Sequence, residues 1–480
     1  MNVKTIFLSV CGGEAKMRPI LVVLTLTLAA HIFSYVYFAH IAAGNPQARP
    51  YPIVNGDSVH YVILSESLRE HGTYTDWSDP LTPRVWTPGY PALLAASKAM
   101  MGSYVPIVIL QVALALVAVV LIYSIALQFV PSLIASAAAL FYGIEPIAVF
   151  LNTAIFTDGL FSSVLVIIVY IAFFWRLRGP LLWAIVGALL GLISLIRPIA
   201  MYLIPLAPLA YLVSERFNRD WKSKVISICA FVLCASVVVV PWMIRNNHSY
   251  GVYEISHSGP FNVLHNFARP FLAWREFRST QPTPALLVMR MTENPVFQIV
   301  DKRIDARLRT LTPVGGDPWN YQGQVAREII FGDPFRYAYF HAVNMAPFFL
   351  ASSVSAYQQY VHQVADNTGF YAPTLMSLVK TMARLKGASP SEIPAIIIPI
   401  IPIVLEIAFW LAILLSAAWA VRSFNFKILL LACLVAYFAV LTGPIAMARY
   451  RVPVEPYLFI LAAIGVHSFV KHRRFVLLSK

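Results

Sequence analysis

YVPIVILQVALALVAVVLIYSIALQ, residues 104–128, holds no charged side chain, and its apolar residues fill the run instead of gathering on one helical face. A helix in water keeps a polar side, whereas a helix crossing a hydrocarbon layer needs roughly 17 to 25 apolar residues. Similar runs recur at about 19–42, 132–151, 157–175, 180–196, 198–213, 224–243, 393–419, 427–445 and 453–470, so about ten transmembrane helices are expected. Composition agrees: 59% of the chain is hydrophobic and 12% charged, where soluble proteins carry about 25% charged residues. The bilayer is the main solvent, and the fold class is an all-α polytopic membrane protein.

Loops rich in Lys and Arg stay on the cytoplasmic side. Lys4, Lys16 and Arg18 precede the first span, and Arg176 and Arg178 follow the fourth. Arg216, Arg219, Lys222 and Lys224 separate the sixth from the seventh. Arg422 and Lys427 follow the eighth, and Lys471, His472, Arg473 and Arg474 the last. Ten crossings put every cluster, and both termini, on the cytoplasmic side. The stretch 336–352 is shorter and bounded by polar sequence. It is either an interfacial helix or part of a re-entrant or extra pair that would raise the count to eleven or twelve.

The net charge of +14 is mostly topology signal and attraction to anionic headgroups. No zinc finger, reading helix or long basic tail argues for nucleic acid. Cys11, Cys229, Cys234 and Cys433 avoid the large external loops, so no disulfide is expected. The first span reads as an uncleaved signal anchor.

Three regions follow: an amino-terminal transmembrane module, 1–243, including an external loop at 43–103; a large external region, 244–392, with interfacial or re-entrant helices; and carboxy-terminal transmembrane helices, 393–480. Loops this long usually have a function or secondary structure of their own. In the first, Asp57 is placed to cap a helix from Ser58 to about His71. That helix reads as interfacial, with Val59, Val62, Ile63 and Leu68 toward lipid and His60, Glu66, Ser67 and Glu70 toward water. Pro88 and Pro91 then bracket the entry to a second apolar helix. In the second region, Arg245 follows Pro241-Trp242 at the lipid boundary, and Tyr250, Tyr253, His257, His265 and Arg269 come soon after. Cations beside aromatic rings at that depth suit a phosphate headgroup whose tail stays in the bilayer. Asp333, in Gly-Asp-Pro, is placed to cap a further helix.

Charges within hydrocarbon are expensive and usually face a cavity or a partner. Glu145, Asp158, Arg197, Glu406, Arg449 and Arg451 lie in or beside the spans. The topology sets all but Glu406 at roughly the external height of Asp57 and Arg245, where one cavity can collect them. Each also has a plain structural reading, as a cap, an ion-pair member or a headgroup anchor. For Glu406 nothing beside it suggests another role.

GDSVHY at 56–61, TPRVWTPGYPALLAA at 82–96, FTDGLF at 156–161, LIRP at 195–198, PWMIRNNHSYG at 241–251 and ARYRVPVEPYL at 448–458 come in this order. The combination resembles the polyprenyl-phosphate-sugar-dependent glycosyltransferases of the GT-C class, and within it the bacterial group related to protein mannosyltransferases and the aminoarabinose transferase of lipid A. The similarity covers about 45–270 and 440–470. Many relatives have a second acid after the first-loop Asp, where this chain has Ser58, and no WWD-type motif of the oligosaccharyltransferases is present.

The resemblance implies a GT-C-like fold and a donor carrying its sugar on a polyprenyl phosphate. The acceptor is a glycan, lipid or protein, and one inverting displacement occurs on the periplasmic or external side of a bacterial inner membrane. Asp57 is the candidate base, with Asp158 as its partner in catalysis. Arg245, Arg449, Arg451, Arg197 and Arg84 are candidates for the donor phosphate, because arginine stays charged near lipid and offers a forked donor. Tyr61, Glu145, Tyr250, His257 and Arg269 are candidate substrate-binding residues. A divalent cation held by Asp57, Asp158 and His257, with Asp76 and Asp79 nearby, is one reading. Charge neutralisation by arginine without a metal or other cofactor is preferred. Membrane lipids are the other expected partners, and the chain is expected to act as a monomer. The competing classes are a lipid-linked glycan transporter or flippase, and a polysaccharide polymerase or ligase using a diphosphate-linked donor.

Overall fold

The computed structural model describes residues 17–46, 48–175, 179–214, 220–277, 295–366, 401–445 and 447–478. Cys11, Lys4, Lys16, Arg176, Arg178, Arg216, Arg219 and the start of the eighth expected span, 393–400, lie outside the described residues. Among those described, every regular element is a helix. α1 (Met17–Ala43) leads into α2 (Asp57–His71) and α3 (Gly89–Met101). The apolar series α4 (Val105–Ala126), α5 (Ser132–Gly143), α6 (Pro146–Thr153), α7 (Thr157–Val169), α8 (Pro180–Ser194), α9 (Leu203–Ser214) and α10 (Trp221–Tyr250) follows. Next come α11 (Arg269–Phe277), α12 (Pro295–Leu311), α13 (Gln322–Phe331), α14 (Pro334–Asn344) and α15 (Ser353–Asp366), and then α16 (Ile401–Val421), α17 (Phe426–Thr442) and α18 (Glu455–Leu478).

Among the described residues six helices are long and apolar enough to cross a membrane: α1, α4, α7 with its extension to Phe174, α10, α16 and α17 with its extension to Ile445. The pair α5 and α6, bent by 54° at Ile144-Glu145, makes a seventh. Length and hydropathy alone therefore stop short of ten, for identifiable reasons. Arg197-Pro198 splits the fifth and sixth expected spans into the short apolar helices Pro180–Ser194 and Pro198–Ser214. At 15 residues, α8 is only about 22 Å long, against a hydrocarbon core of about 30 Å. In α18 the apolar run gives way to His467, Lys471 and His472. The stretch 334–350 forms no span either. It is an 11-residue helix followed by a single turn, Ala346–Leu350. α10 continues past 243 to Tyr250, so Arg245 rides on the helix that carries the seventh span.

α7 lies at the centre, with 83% of its apolar window enclosed by protein. α16 buries only 11% of its apolar window and packs one side against α18, where a Cβ at Gly465 would meet the Ser416 carbonyl. Its exposed aliphatic side chains suit lipid, which removes the penalty that water would impose. The region between α10 and α15 has a core of its own, built from Leu264, Phe271, Trp274, Phe297, Val300 and Phe340.

Packing between α8 and α10 depends on Gly187. A Cβ there would sit 2.2 Å from the Phe231 carbonyl oxygen, so the two backbones approach as small residues allow in membrane helices. Trp183, one turn earlier, is fully buried against Tyr211 and Phe231, with ring centroids 4.4 and 5.9 Å away. Gly187→Val is expected to lower the thermal midpoint of the detergent-solubilised protein, through overpacking of about 1–3 kcal/mol. Leu181→Val, on the exposed side of the same helix, should stay within about 0.5 kcal/mol of the parent. Equal midpoints for the two variants would contradict this packing.

Candidate functional site: a carboxylate–arginine chain

FTDGLF starts α7, and Asp158 falls in its first turn, where the unpaired amides and helix dipole favour an anion. Its side chain is fully buried, so its charge must be met by protein groups. Arg449 meets it from one side, with Nε donating at 2.9 Å and Nη2 at 2.8 Å to Oδ2. Arg197, at the break that ends α8, bridges to Oδ1 and donates at 3.4 Å to the Thr157 hydroxyl. Arg449 Nη2 also lies 2.6 Å from Asp57 Oδ2. Four distant pieces of sequence thus form one chain, Asp57–Arg449–Asp158–Arg197, with two charges of each sign. Both guanidinium groups rest near aromatic rings, Arg449 4.8 Å from Phe156 and Arg197 5.8 Å from Phe161. The Asp57 end is the most open, at 30% side-chain exposure against 17% for Arg197, 11% for Arg449 and none for Asp158.

Asp57 is not the cap that the sequence suggested. Gly56 holds the cap position, no side-chain capping bond forms, and Asp57 is the first helical residue. The carboxylate turns to Arg449 because a full guanidinium partner outweighs one exposed amide. Tyr61, one turn on, bonds Thr157 through its hydroxyl at 3.3 Å. The buried face of α2 is Ser58, Tyr61, Leu64, Ser65 and Ser67. The division expected for this helix is therefore wrong at Ser67, whose hydroxyl donates to the Thr73 carbonyl at 2.9 Å. Ser58 is fully buried and accepts from the Val54 amide at 3.1 Å, an environment that suits a hydroxyl better than a second acid.

A second group of candidates surrounds Tyr250. Arg84 pairs with Asp317, donates at 2.7 Å to Asn320 Oδ1, and sits 4.9 and 5.6 Å from the Tyr250 and Trp319 rings. Arg245 donates at 3.2 Å to the Tyr74 carbonyl and lies 4.9 and 5.2 Å from the Trp242 and Tyr250 rings. His257 is buried; its amide donates to the Arg84 carbonyl at 2.8 Å and its Nδ1 lies 3.1 Å from Glu254. Desolvation pushes the Asp317 carboxyl up, but the Trp319 amide and the Arg84 guanidinium outweigh it and hold the group below the usual carboxylate range. Trp86 joins the two groups. Its ring packs 5.1 Å from Tyr61 and 5.5 Å from His60, and its carbonyl accepts from the Tyr74 hydroxyl at 3.0 Å.

Three candidates lie apart. Arg269 binds Asp301 at 2.5 and 2.7 Å. Glu145 caps α6, accepting from the Ala148 amide at 2.6 Å. Arg451 is fully buried. It donates to Glu455 at 3.0 Å, to the Phe349 and Ala351 carbonyls at 3.1 and 2.9 Å, and to Ser353 Oγ at 2.9 Å, with Trp410 3.7 Å from its guanidinium carbon. Those contacts tie the single turn Ala448–Arg451 to the strand of chain before α15. Glu406 completes the tie by accepting from the Ser352 hydroxyl and from the Ser353 and Val354 amides. The cation site considered for Asp57, Asp158 and His257 is not assembled. Among the described residues no three His, Cys, Asp or Glu side chains converge on one point. Asp76 and Asp79 direct their oxygens to the turn between them and Thr82.

Glu455, Thr157, Asp317 and Trp319 escaped the sequence reading. Glu455 had a signal in its i,i+4 spacing from Arg451. Asp317 had none, because its partner is more than two hundred residues away in sequence. Arg451→Met leaves Glu455 buried and unpaired and is expected to cost about 3–5 kcal/mol of stability. Adding Glu455→Gln should restore part of that loss in thermal unfolding. No recovery in the double variant would contradict the pairing.

Residues 85–244 match the family model described as dolichyl-phosphate-mannose-protein mannosyltransferase. No curated protein matches the chain. Among solved structures the chain is similar to the archaeal oligosaccharyltransferase AglB from Archaeoglobus fulgidus in complex with an inhibitory peptide and a dolichol-phosphate. Identity there is 13% and the TM-score 0.46, over 94% of this chain and 51% of that one. It is also similar to ArnT from Cupriavidus metallidurans bound to undecaprenyl phosphate, at 14% identity and a TM-score of 0.36, over 92% and 76% of the two chains. The chain spans about half the length of the archaeal protein. FTDGLF and LIRP, with Asp158 and Arg197, fall inside the stretch 85–244 that matches the dolichyl-phosphate-mannose-protein mannosyltransferase family model, about a third of the chain.

Proposed function

We propose that this protein is a membrane glycosyltransferase that moves a sugar from a polyprenyl-phosphate donor to an acceptor hydroxyl or amine. Asp57 is the general base. The reaction takes place on the periplasmic or external side of a bacterial inner membrane, with both termini cytoplasmic, ten crossings and the three regions divided near 243 and 392. The observation that carries the reading is the shared guanidinium of Arg449, which holds a buried carboxylate and a partly exposed one at the same time.

In the resting chain the charges balance. Asp158 is enclosed and keeps its two arginines, whereas Asp57 is the exchangeable partner. A donor phosphate arriving at Arg449 takes the place of the Asp57 carboxylate. This leaves Asp57 free and ionised beside the anomeric carbon. The acceptor oxygen or nitrogen attacks that carbon as its proton passes to Asp57. The bond from the anomeric carbon to the phosphate oxygen breaks with its electron pair, and polyprenyl phosphate leaves as an anion held by Arg449 and Arg197. A single displacement inverts the anomeric centre. Tyr61, hydrogen-bonded to Thr157, fixes the face of α2 that presents Asp57. Arg245, Arg84, Tyr250 and His257 form the outer wall toward headgroup and acceptor, on the far side of Trp86.

Asp57→Asn in reconstituted vesicles, with a panel of polyprenyl-phosphate sugars, is expected to lower transfer by about 10²–10⁴-fold while donor binding persists. Equal activity in the two proteins would end the base assignment. Donor movement across the bilayer without transfer in the wild type would favour a transporter instead, and consumption of diphosphate-linked donors alone a polymerase or ligase. Arg449→Lys keeps the charge but loses the fork, and should raise the donor KM by about 10–100-fold, the worth of a charge-assisted hydrogen bond. An unchanged KM would remove Arg449 from the phosphate site.

A further inference from the structure

α14 is apolar on two opposite sides, and the packing of the protein accounts for only one. Phe340 and Asn344 are buried and belong to the face that meets Phe271 and Trp274. Phe335, Ala338, Tyr339 and Ala342 recur at the i, i+3, i+4, i+7 spacing of a single helical face, and all four are exposed. Phe335 is 88% exposed, Tyr339, whose ring centroid lies 6.0 Å from that of Trp274, 57%, and Phe331, at the end of α13, 72%. A helix facing water carries polar residues there. A contiguous aromatic stripe of this kind marks an interaction surface, unlike a lone exposed side chain.

The other end of α14 is fastened to a membrane helix. His341 Nε2 donates to the Val440 carbonyl at 2.9 Å, and its Nδ1 accepts from the Tyr337 hydroxyl at 3.0 Å. Gly443 follows at the end of α17, with φ of +37°, and a Cβ there would fall 2.3 Å from the His341 ring. The imidazole thus lies against bare backbone in the last turns of the candidate span Phe426–Ile445. Phe335 is six residues from His341, or about 9 Å along the helix. Arg336, 53% exposed, is paired with Asp333 at 2.9 Å, and Arg327, exposed on α13, adds a positive charge of the kind anionic headgroups attract.

We infer that α14 is a membrane-surface anchor, with Phe331, Phe335 and Tyr339 seated in the bilayer leaflet next to the end of α17. The occupant of the stripe is lipid. This follows from the exposed aromatic stripe and its His341–Val440 fastening to a candidate span, with Arg327 nearby in sequence, and is independent of sugar transfer. One consequence is that the cluster carrying Asp317 and Trp319 is held at membrane level, over Arg84.

The test uses the full chain with its four native cysteines replaced, in vesicles of phosphatidylcholine and phosphatidylglycerol. Single nitroxide labels are placed through Phe335→Cys, Tyr339→Cys and, as a water-facing reference, Val314→Cys, whose parent residue is fully exposed. Relaxation at positions 335 and 339 is expected to respond to oxygen over an aqueous nickel chelate, with the opposite preference at 314. Nickel-dominated relaxation at both 335 and 339 would overturn the inference. Dipolar broadening at 335 that grows with the labelled fraction would overturn it too, because a second copy of the chain would then cover the stripe.

Discussion

A carboxylate taken wholly out of water inside an apolar helix bundle must be matched by a partner or lose its charge. Asp158 is that carboxylate here, at the amino-terminal end of the most enclosed helix, and much of the site follows from satisfying it. One guanidinium comes from the break after α8 and the other from the turn before α18. Because Arg449 has donors left over, its reach extends to Asp57. The result is a polar chain that is neutral as a whole yet has one end open. In the proposed reaction this asymmetry, with an enclosed Asp158 and a more accessible Asp57, would let an incoming anion exchange with one carboxylate and leave the other in place.

The same short turn serves a second purpose. Two residues apart on a helical turn means about 200° of rotation, so Arg449 and Arg451 face opposite ways. The first enters the carboxylate chain. The second is closed off by Glu455, two backbone carbonyls and Ser353, and it locks the segment between α14 and α15 to the membrane helices. Residues that look equivalent in ARYRVPVEP therefore have different partners, Arg449 in the carboxylate chain with Asp57 and Asp158, and Arg451 in a closed structural cluster. A change at Arg451 acts on the position of its neighbour before it acts on any ligand.

Much of this was legible in the amino-acid order. Asp57, Asp158, Arg197 and Arg449 stood out because ionisable residues are scarce in a chain so apolar, and the distribution of Lys and Arg set all four at one height. Helix existence followed from the same scarcity. What escaped is what depends on three-dimensional partner choice. Asp57 has the position of a cap, and only the nearness of Arg449 shows why it does not act as one. Arg451 shares its motif with Arg449, and its i,i+4 spacing to Glu455 was a local signal that outward-facing chemistry obscured. Arg84 looked free until Asp317 arrived from a region with no motif. One span was read across a break for a related reason: hydropathy runs through Glu145-Pro146, inside 132–151, whereas the helices on either side of it are bent by 54°.

The central claim is that donor phosphate and Asp57 compete for Arg449. The most direct measurement is the affinity of the full-length protein for polyprenyl phosphate, the product that retains the phosphate, in wild type and in Asp57→Asn. Competition predicts tighter binding in the variant, because the resident carboxylate no longer has to be displaced. Unchanged or weaker binding in a variant that remains folded would contradict the account.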